Sequence, residues 1–295
     1  MMGTEDVSYP FPAWPKRSFY GTVNTSGKEA GRQMRKISFL IMFLAFMAIL
    51  AGCGKDSTVG DGAGEATRVT ATFNEEVAKS LDIADPRDFE EARRGFIARP
   101  AGKIMTAKGD VVIDFDAFNF VEGKAPVAVN PSLWRHAILN AQVGLFKVTD
   151  GIYQIRGFDI GNMTLIEGNA GWIVVDPLTC RETGAAAIAF ARKHLGDKPV
   201  SAIIFTHSHG DHFGGVLGVI SPQEASRRKV PVIVPDGFVE EATSEYIMVG
   251  VAMVRRSMYQ FGKNLERSPR GLVDTGLGKN VAYGRMAQGG STITQ

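Results

Sequence analysis

This chain of 295 residues contains few cysteines and histidines, and its positive and negative charges are nearly balanced. The two cysteines, Cys53 and Cys180, cannot form a disulfide framework and do not make a CxxC motif. The 33 basic and 31 acidic residues nearly cancel to a net charge of +2, and no basic run is interleaved with aromatic residues. We therefore expect no nucleic-acid partner. The apolar fraction of 44% is sufficient for a packed core.

Three of only five histidines are crowded into one stretch, THSHGDHFGG, at residues 206–215. The candidate metal ligands in it are His207, His209, Asp211 and His212, because neutral imidazole and carboxylate are good zinc ligands. A strand would turn His212 away from the other three, and a helix would place His209 nearly opposite His207. The motif therefore predicts a loop around a metal. Four donors that cannot comfortably reach one ion from so short a loop indicate two ions.

The segments before this motif predict an α/β fold with the site at a strand end. A strand at 171–177, GWIVVDP, is followed by an alanine-rich helix at 182–195 and an apolar strand at 200–205 that leads into the histidines. In such folds the chemistry lies at the carboxyl ends of the strands. Asp176 ends the first of these strands. It either caps a turn or supports the metal loop by accepting hydrogen bonds from it.

Further elements are predicted upstream. Alternating or apolar runs predict strands at 145–148, 152–156 and 163–168, and Val111, Ile113 and Phe115 indicate another. Apolar spacing predicts a helix through Phe73, Val77 and Leu81, a short one at 89–94, and one that has Pro131 near its first turn.

The N-terminal part is typical of an export signal. From Met34 the chain reads MRKISFLIMFLAFMAILAGCGK, with a basic start, an apolar run at 37–51 and LAGC, which resembles the lipobox of bacterial lipoproteins. Residues 34–53 are then the signal peptide and Cys53 the lipidated residue; the alternative is a plain membrane anchor. Residues 1–33 are expected to be an upstream or disordered extension, and 54–66 a flexible tether. This predicts a lipoprotein of the bacterial cell envelope, facing the periplasm or in the outer membrane.

Longer stretches of the chain resemble a known family. NPSLWRHAILNAQVGLFKVTDGIYQIRGFDIGNMTLIEGNAGWIVVDPLT and THSHGDHFGGVLGV, then VPDGFVEEATSE and RGLVDTGLGK, are similar to the alkylsulfatase branch of the metallo-β-lactamase superfamily. The resemblance covers roughly residues 66–279. It implies an α/β domain of the αββα sandwich type at 67–280, incomplete at its C-terminal end, with an atypical tail at 281–295. It also implies a homodimer.

The resemblance also implies roles for the motif residues. His207 and His209 would bind one zinc ion, and Asp211 and His212 a second. Asp211 and His212 would thus be the catalytic residues. Two zinc ions would activate a water that hydrolyses alkyl sulfate esters, such as dodecyl sulfate, to alcohol and sulfate.

One departure from the family limits this expectation. The family completes its metal site with two downstream glutamates and a further histidine, but no histidine follows His212 here. Four of the glutamates that do follow are interpreted as helix-surface charges: Glu224, Glu240, Glu241 and Glu245. Two protein ligands for each ion, where catalytic zinc usually has three, predict weak zinc binding and little turnover. The alternatives are a thioesterase or lactonase of the same fold, or a catalytically inactive metal-binding lipoprotein.

Overall fold

A computed structural model of the chain describes residues 64–287. Several predictions lie outside the described residues: the extension at 1–33, the signal peptide at 34–53 with Cys53, most of the tether at 54–66 and the second half of the 281–295 tail. Among the residues from 64 to 287, no helix is both long and apolar enough to cross a membrane.

The described region contains nine helices and nine strands, numbered here in chain order. The helices are α1 (Arg68–Ser80), α2 (Arg87–Arg93), α3 (Pro131–Asn140), α4 (Arg181–Leu195), α5 (Gly210–Phe213), α6 (Val216–Val219), α7 (Pro222–Arg228), α8 (Phe238–Met248) and α9 (Gly250–Gln260). The strands are β1 (Phe96–Ala98), β2 (Lys103–Met105), β3 (Val111–Asp114), β4 (Gly144–Thr149), β5 (Ile152–Arg156), β6 (Met163–Gly168), β7 (Gly171–Val175), β8 (Val200–Ile204) and β9 (Val232–Ile233).

A mixed seven-stranded sheet organises the domain. Its strand order is β1-β4-β5-β6-β7-β8-β9, and β2 and β3 form a separate two-stranded hairpin. Neighbours from β1 to β7 are antiparallel, whereas β8 runs parallel to both β7 and β9. Helix α4 makes the crossover that two parallel neighbours require. The predicted α/β class is therefore confirmed, with helices packed on a mixed sheet.

The main core lies beneath the central strands and α4. Its largest buried side chains come from the strand faces and include Leu145, Ile155, Leu165, Trp172 and Ile203. The buried alanines of α4, Ala187 and Ala191, keep its core-facing surface small, so the helix packs closely. Strands β5 and β6 begin and end at the predicted residues, since their flanking glycine turns and apolar alternation are strong local signals. The predicted strands at 171–177 and 200–205 are shorter, ending at Val175 and Ile204.

The backbone that follows the motif histidines lies directly against the backbone of the turn before α4 and of the first turn of α4. A Cβ added at Gly184 would overlap the carbonyl oxygen of Gly215, and one added at Gly215 would overlap that of Pro177. The Gly215 amide donates to the carbonyl oxygen of Leu178 at 2.8 Å. Glycine is required on both segments because their backbones approach so closely. This contact fixes the position of the segment that carries the histidines.

A second apolar cluster lies between α3 and the segment before the end of the described chain. It joins Trp134 and Ala137 of α3 to Phe118, Leu272 and Val273. Helix α3 begins at Pro131 as expected. The side chain of its N-cap residue, Asn130, accepts a hydrogen bond from the Ser132 amide at 2.9 Å.

Candidate metal centre

The four motif residues lie at the carboxyl end of β8, and the structure brings them together. His207 and His209 are in the loop after the strand, as expected. Asp211 and His212 instead form part of α5, a single helical turn. This turn forms because the His212 amide donates to the His209 carbonyl oxygen at 3.0 Å. The tight turn brings His212 back towards His207, so their ring centroids are 4.1 Å apart.

The remaining distances describe one compact cluster. The ring centroids of His207 and His209 are 4.7 Å apart. Oδ2 of Asp211 lies 3.1 Å from Nε2 of His212. Asp211 and His212 are largely buried side chains, whereas His209 is 60% exposed and can therefore meet an incoming ligand.

Asp176 joins this cluster from the neighbouring strand. Val175 and Ile204 are register partners on parallel β7 and β8, so the residues that follow them emerge side by side. One Asp176 oxygen accepts from the Thr206 amide at 2.8 Å; the other accepts from the Thr206 hydroxyl at 2.7 Å and from Nδ1 of His212 at 2.8 Å. Asp176 has a φ of +55°, a left-handed conformation that is unusual for a residue other than glycine. These contacts connect it to both halves of the motif.

The cluster shifts the pKa values of its own members. Hydrogen bonds to Asp176 and Asp211 raise the pKa of His212 to about 9. Burial would raise the pKa of Asp176, but hydrogen bonds from His212 and Thr206 outweigh it and hold the pKa below its ordinary value. Burial would also raise the pKa of Asp211, but the hydrogen bond to His212 and the charges of the neighbouring histidines together outweigh it and lower the pKa. Burial and the neighbouring histidines lower the pKa of His207.

The donor set fits zinc in its chemistry and in the orientation of two rings. Thr206 Oγ1 lies 2.9 Å from Nδ1 of His207, and Asp176 occupies Nδ1 of His212. His207 therefore keeps Nε2 for a metal, whereas Nε2 of His212 lies beside Asp211, the other candidate ligand of the same ion. A metal-bound histidine normally has a partner on its other nitrogen, as Thr206 and Asp176 provide here. Among residues 64–287, however, no three His, Cys, Asp or Glu side chains are arranged to share one ion.

Helix α8 forms the other wall of the cluster, which the sequence did not indicate. Phe238 packs against Phe205 and Phe213 with ring centroids 5.5 and 5.3 Å apart. One wall residue, Glu245, has Oε2 4.0 Å from Nε2 of His209. The interpretation of Glu245 as a surface charge therefore misses its position beside the motif.

The other three glutamates that were interpreted as surface charges have the positions expected of them. Glu240 and Glu241 are exposed on α8. Glu224 on α7 pairs with Arg228 one turn later, with 3.1 Å between Oε1 and Nη1. Of these four glutamates, only Glu245, whose side chain is 31% exposed, faces the histidines.

A buried carboxylate supports the back of the cluster. Asp159, in the loop after β5, accepts from the amides of Ile160, Thr179 and Ala282 and from the Thr183 hydroxyl, at 2.8 to 3.1 Å. Burial raises the pKa of Asp159, and the hydrogen bonds from the three amides act in the opposite direction.

The loop that Asp159 anchors reaches the motif at Gly161. A Cβ added at Gly161 would lie 2.9 Å from the carbonyl oxygen of Asp211. No local sequence pattern indicates that Asp159 has this role, because its partner Ala282 lies 123 positions later in the chain.

The comparisons with known proteins agree with this fold. The family model described as "Metallo-beta-lactamase superfamily" matches residues 156–286, which include every residue of the cluster. The chain belongs to the metallo-beta-lactamase superfamily. Its similarity to sulfatases places it in the alkylsulfatase branch, as the following relatives show.

Two curated relatives and one solved structure illustrate the branch. The chain is 45% identical over 226 residues to an alkyl/aryl-sulfatase of Saccharomyces cerevisiae, covering 76% of this chain and 35% of the relative. It is 46% identical over 218 residues to an (R)-specific secondary-alkylsulfatase of a Pseudomonas species, covering 74% and 33%. The stereoselective inverting sec-alkylsulfatase Pisa1 from Pseudomonas superposes with a TM-score of 0.74 at 42% identity, covering 79% and 37%. The chain thus spans about a third of the length of these relatives.

Proposed function

We propose that this chain carries the histidine half of a zinc-dependent site that hydrolyses alkyl sulfate esters to alcohol and sulfate. The observation that supports the proposal most is the joint occurrence of two features. The chain is about 45% identical to proteins named as alkylsulfatases, and its His-x-His-x-Asp-His residues converge at the carboxyl ends of β7 and β8.

The residues of the chain have different roles in the proposed site. His207 and His209 would hold one zinc ion, and Asp211 and His212 the second. Asp176 keeps the His212 ring in place and bonds the start of the motif through Thr206. Bound zinc would supply Lewis-acid activation of water and of the ester oxygen. The exposed edge of His209 leaves that side of the cluster open to a substrate.

Zinc content and sulfate release together test the proposal. The purified chain is loaded with zinc and dialysed, and bound metal is measured before dodecyl sulfate is added. We expect bound zinc and slow sulfate release, slow because each ion has two protein ligands from the described residues where catalytic zinc usually has three. His207→Ala, which removes one of these ligands, is expected to abolish the release; Glu224→Gln on α7 serves as the control and leaves it unchanged.

Other outcomes of this experiment favour the alternatives. Cleavage of a thioester or lactone without sulfate release would favour a hydrolase of another branch. Stoichiometric zinc with no turnover of any of these esters would show an inactive metal-binding protein. The same sample in light scattering tests the homodimer that the family resemblance implies.

We also propose that the chain is exported to the bacterial cell envelope and lipidated at Cys53. The support is sequence alone: LAGC after a basic start and an apolar run. Cells expressing the protein with a labelled fatty acid should yield a labelled product in the membrane fraction, and Cys53→Ser should lose the label while Cys180→Ser, which changes the buried cysteine, keeps it. Equal labelling of the parent and Cys53→Ser would overturn the proposal, and a parent in the membrane fraction without label would overturn it in favour of a plain anchor.

A further inference from the structure

Apart from contacts among the four candidate ligands themselves, each histidine of the motif has one oxygen-bearing neighbour at one ring nitrogen. For His207 it is the Thr206 hydroxyl at Nδ1, and for His212 it is the Asp176 carboxylate at Nδ1. For His209 it is the Glu245 carboxylate, which lies at the opposite nitrogen, Nε2. His209 therefore differs from the other two rings, since the nitrogen left for a metal is Nδ1.

Glu245 is held beside His209 by the packing of α8. Phe238 and Ala242, one turn apart, are both buried and fasten the first half of the helix to the core. The next turn carries Glu245 and Tyr246. The Tyr246 hydroxyl lies over Gly210, where a Cβ would overlap it. The burial of Phe238 and Ala242 holds the helix, and the Tyr246 contact places the turn that carries Glu245 beside the motif.

The distance of 4.0 Å between Glu245 Oε2 and His209 Nε2 is about 1 Å beyond hydrogen-bond reach. Rotation about the side-chain bonds of glutamate covers such a gap without moving the backbone. Among the described ion pairs, His209 is the only partner of Glu245. Both the position of this carboxylate and its lack of a competing partner in that set favour a bond to the ring.

We propose that Glu245 is the positioning residue of His209: its carboxylate accepts the Nε2 hydrogen and so directs Nδ1 to the metal. Metal-bound histidines are commonly held in this way by a carboxylate, and its loss typically weakens metal binding 10- to 100-fold. The inference rests on the proposed zinc site, but it also makes a claim about the metal-free protein, namely which ring nitrogen of His209 carries the hydrogen.

Two measurements on four proteins test the inference. The proteins are the parent chain, Glu245→Ala, Glu245→Gln and the control Glu241→Ala, which removes an exposed carboxylate from the same helix. The tautomer of the His209 ring is measured by ¹⁵N NMR without metal, under conditions in which the ring is neutral. The zinc dissociation constant is measured by competition with a chromogenic chelator.

We expect the Nε2–H tautomer of His209 in the parent and in Glu241→Ala, and a mixture of tautomers in Glu245→Ala. The zinc dissociation constant should rise about tenfold in Glu245→Ala and less in Glu245→Gln, since the amide oxygen still accepts a hydrogen bond. It should be unchanged in Glu241→Ala. A purely structural role of Glu245 would move the thermal midpoint without moving the tautomer.

The inference is overturned if Glu245→Ala leaves both tautomer and zinc affinity at the parent values. Equal and large losses of affinity in Glu245→Ala and Glu245→Gln, with the tautomer unchanged, would show Glu245 to be a zinc ligand and would overturn it as well. A parent chain that binds no zinc contradicts the proposed function instead. The metal-free tautomer then still decides whether Glu245 holds His209.

Discussion

Asp176→Asn is expected to weaken zinc binding about 100-fold while the fold is retained. The carboxylate accepts the Nδ1 hydrogen of His212, which leaves Nε2, the nitrogen beside Asp211, as the one that would bind a metal. An asparagine that keeps its oxygen on the Thr206 amide turns its NH₂ group towards His212. The ring must then accept at Nδ1 and carry its hydrogen on Nε2, where it blocks the metal. Zinc competition titration measures the loss. ¹⁵N NMR of His212 in the metal-free protein, at a pH above the His212 pKa of about 9 where the ring is neutral, measures the tautomer.

Asp176→Ala distinguishes two causes of weaker zinc binding: a changed His212 tautomer and the simple loss of the Asp176 contact. Alanine leaves Nδ1 of His212 without a protein partner from Asp176, so the ring can still present Nε2. We therefore expect Asp176→Asn to bind zinc no more tightly than Asp176→Ala, although its thermal midpoint is higher. Zinc affinity at the parent level in Asp176→Asn would show that Asp176 does not set the His212 tautomer.

Asp159→Ala is expected to reduce the free energy of unfolding by roughly 3–4 kcal/mol, the largest stability effect predicted for this chain. The substitution leaves four hydrogen-bond donors, three of them backbone amides, without their acceptor. Relief from burying a charge offsets part of the cost. Denaturant unfolding followed by circular dichroism measures the change. The midpoint should fall while the slope stays the same.

Two further variants test the explanation for Asp159. Asp159→Asn retains one acceptor oxygen and should lose about half as much free energy as Asp159→Ala. Asp82→Ala removes a carboxylate from an exposed position and should be neutral within about 0.5 kcal/mol. Equal stability of Asp159→Ala and Asp82→Ala would contradict the view of Asp159 as a hub.

The strands were predictable where local signals are strong. Strands β5 and β6 have apolar alternation and glycine-bearing turns at their ends, and both were located to the residue. Strand ends without such signals were less certain. The prediction extended β7 through Asp176 and Pro177, but the chain leaves the sheet after Val175 because Asp176 adopts a positive φ.

The motif also predicted which residues converge, although not their local conformation. Histidine and aspartate at this spacing indicate a shared metal centre, whichever backbone conformation carries them. The helical turn at 210–213 depends on the His212 amide meeting the His209 carbonyl oxygen, which spacing alone does not specify. The metal roles of these four residues stay predictions until zinc is measured.

The residues that surround the motif could not be predicted, because their contacts span long sequence distances. Glu245 lies 36 positions after His209, on a helix whose surface also carries Glu240 and Glu241 in equivalent chemical context. Nothing local distinguishes the three glutamates. Only the packing of Phe238 and Ala242 decides which of them faces the histidines.

The glycine contacts around the motif determine where the site can change during evolution or in engineering. On the α4 side, Gly184 and Gly215 face backbone carbonyl oxygens, so any larger residue must move the main chain. On the α8 side, Gly210 faces the ends of the Tyr246 and Met286 side chains, which can rotate away. Libraries that vary the α8 residues beside Gly210 should therefore yield folded proteins, whereas the α4 side should tolerate almost no diversity.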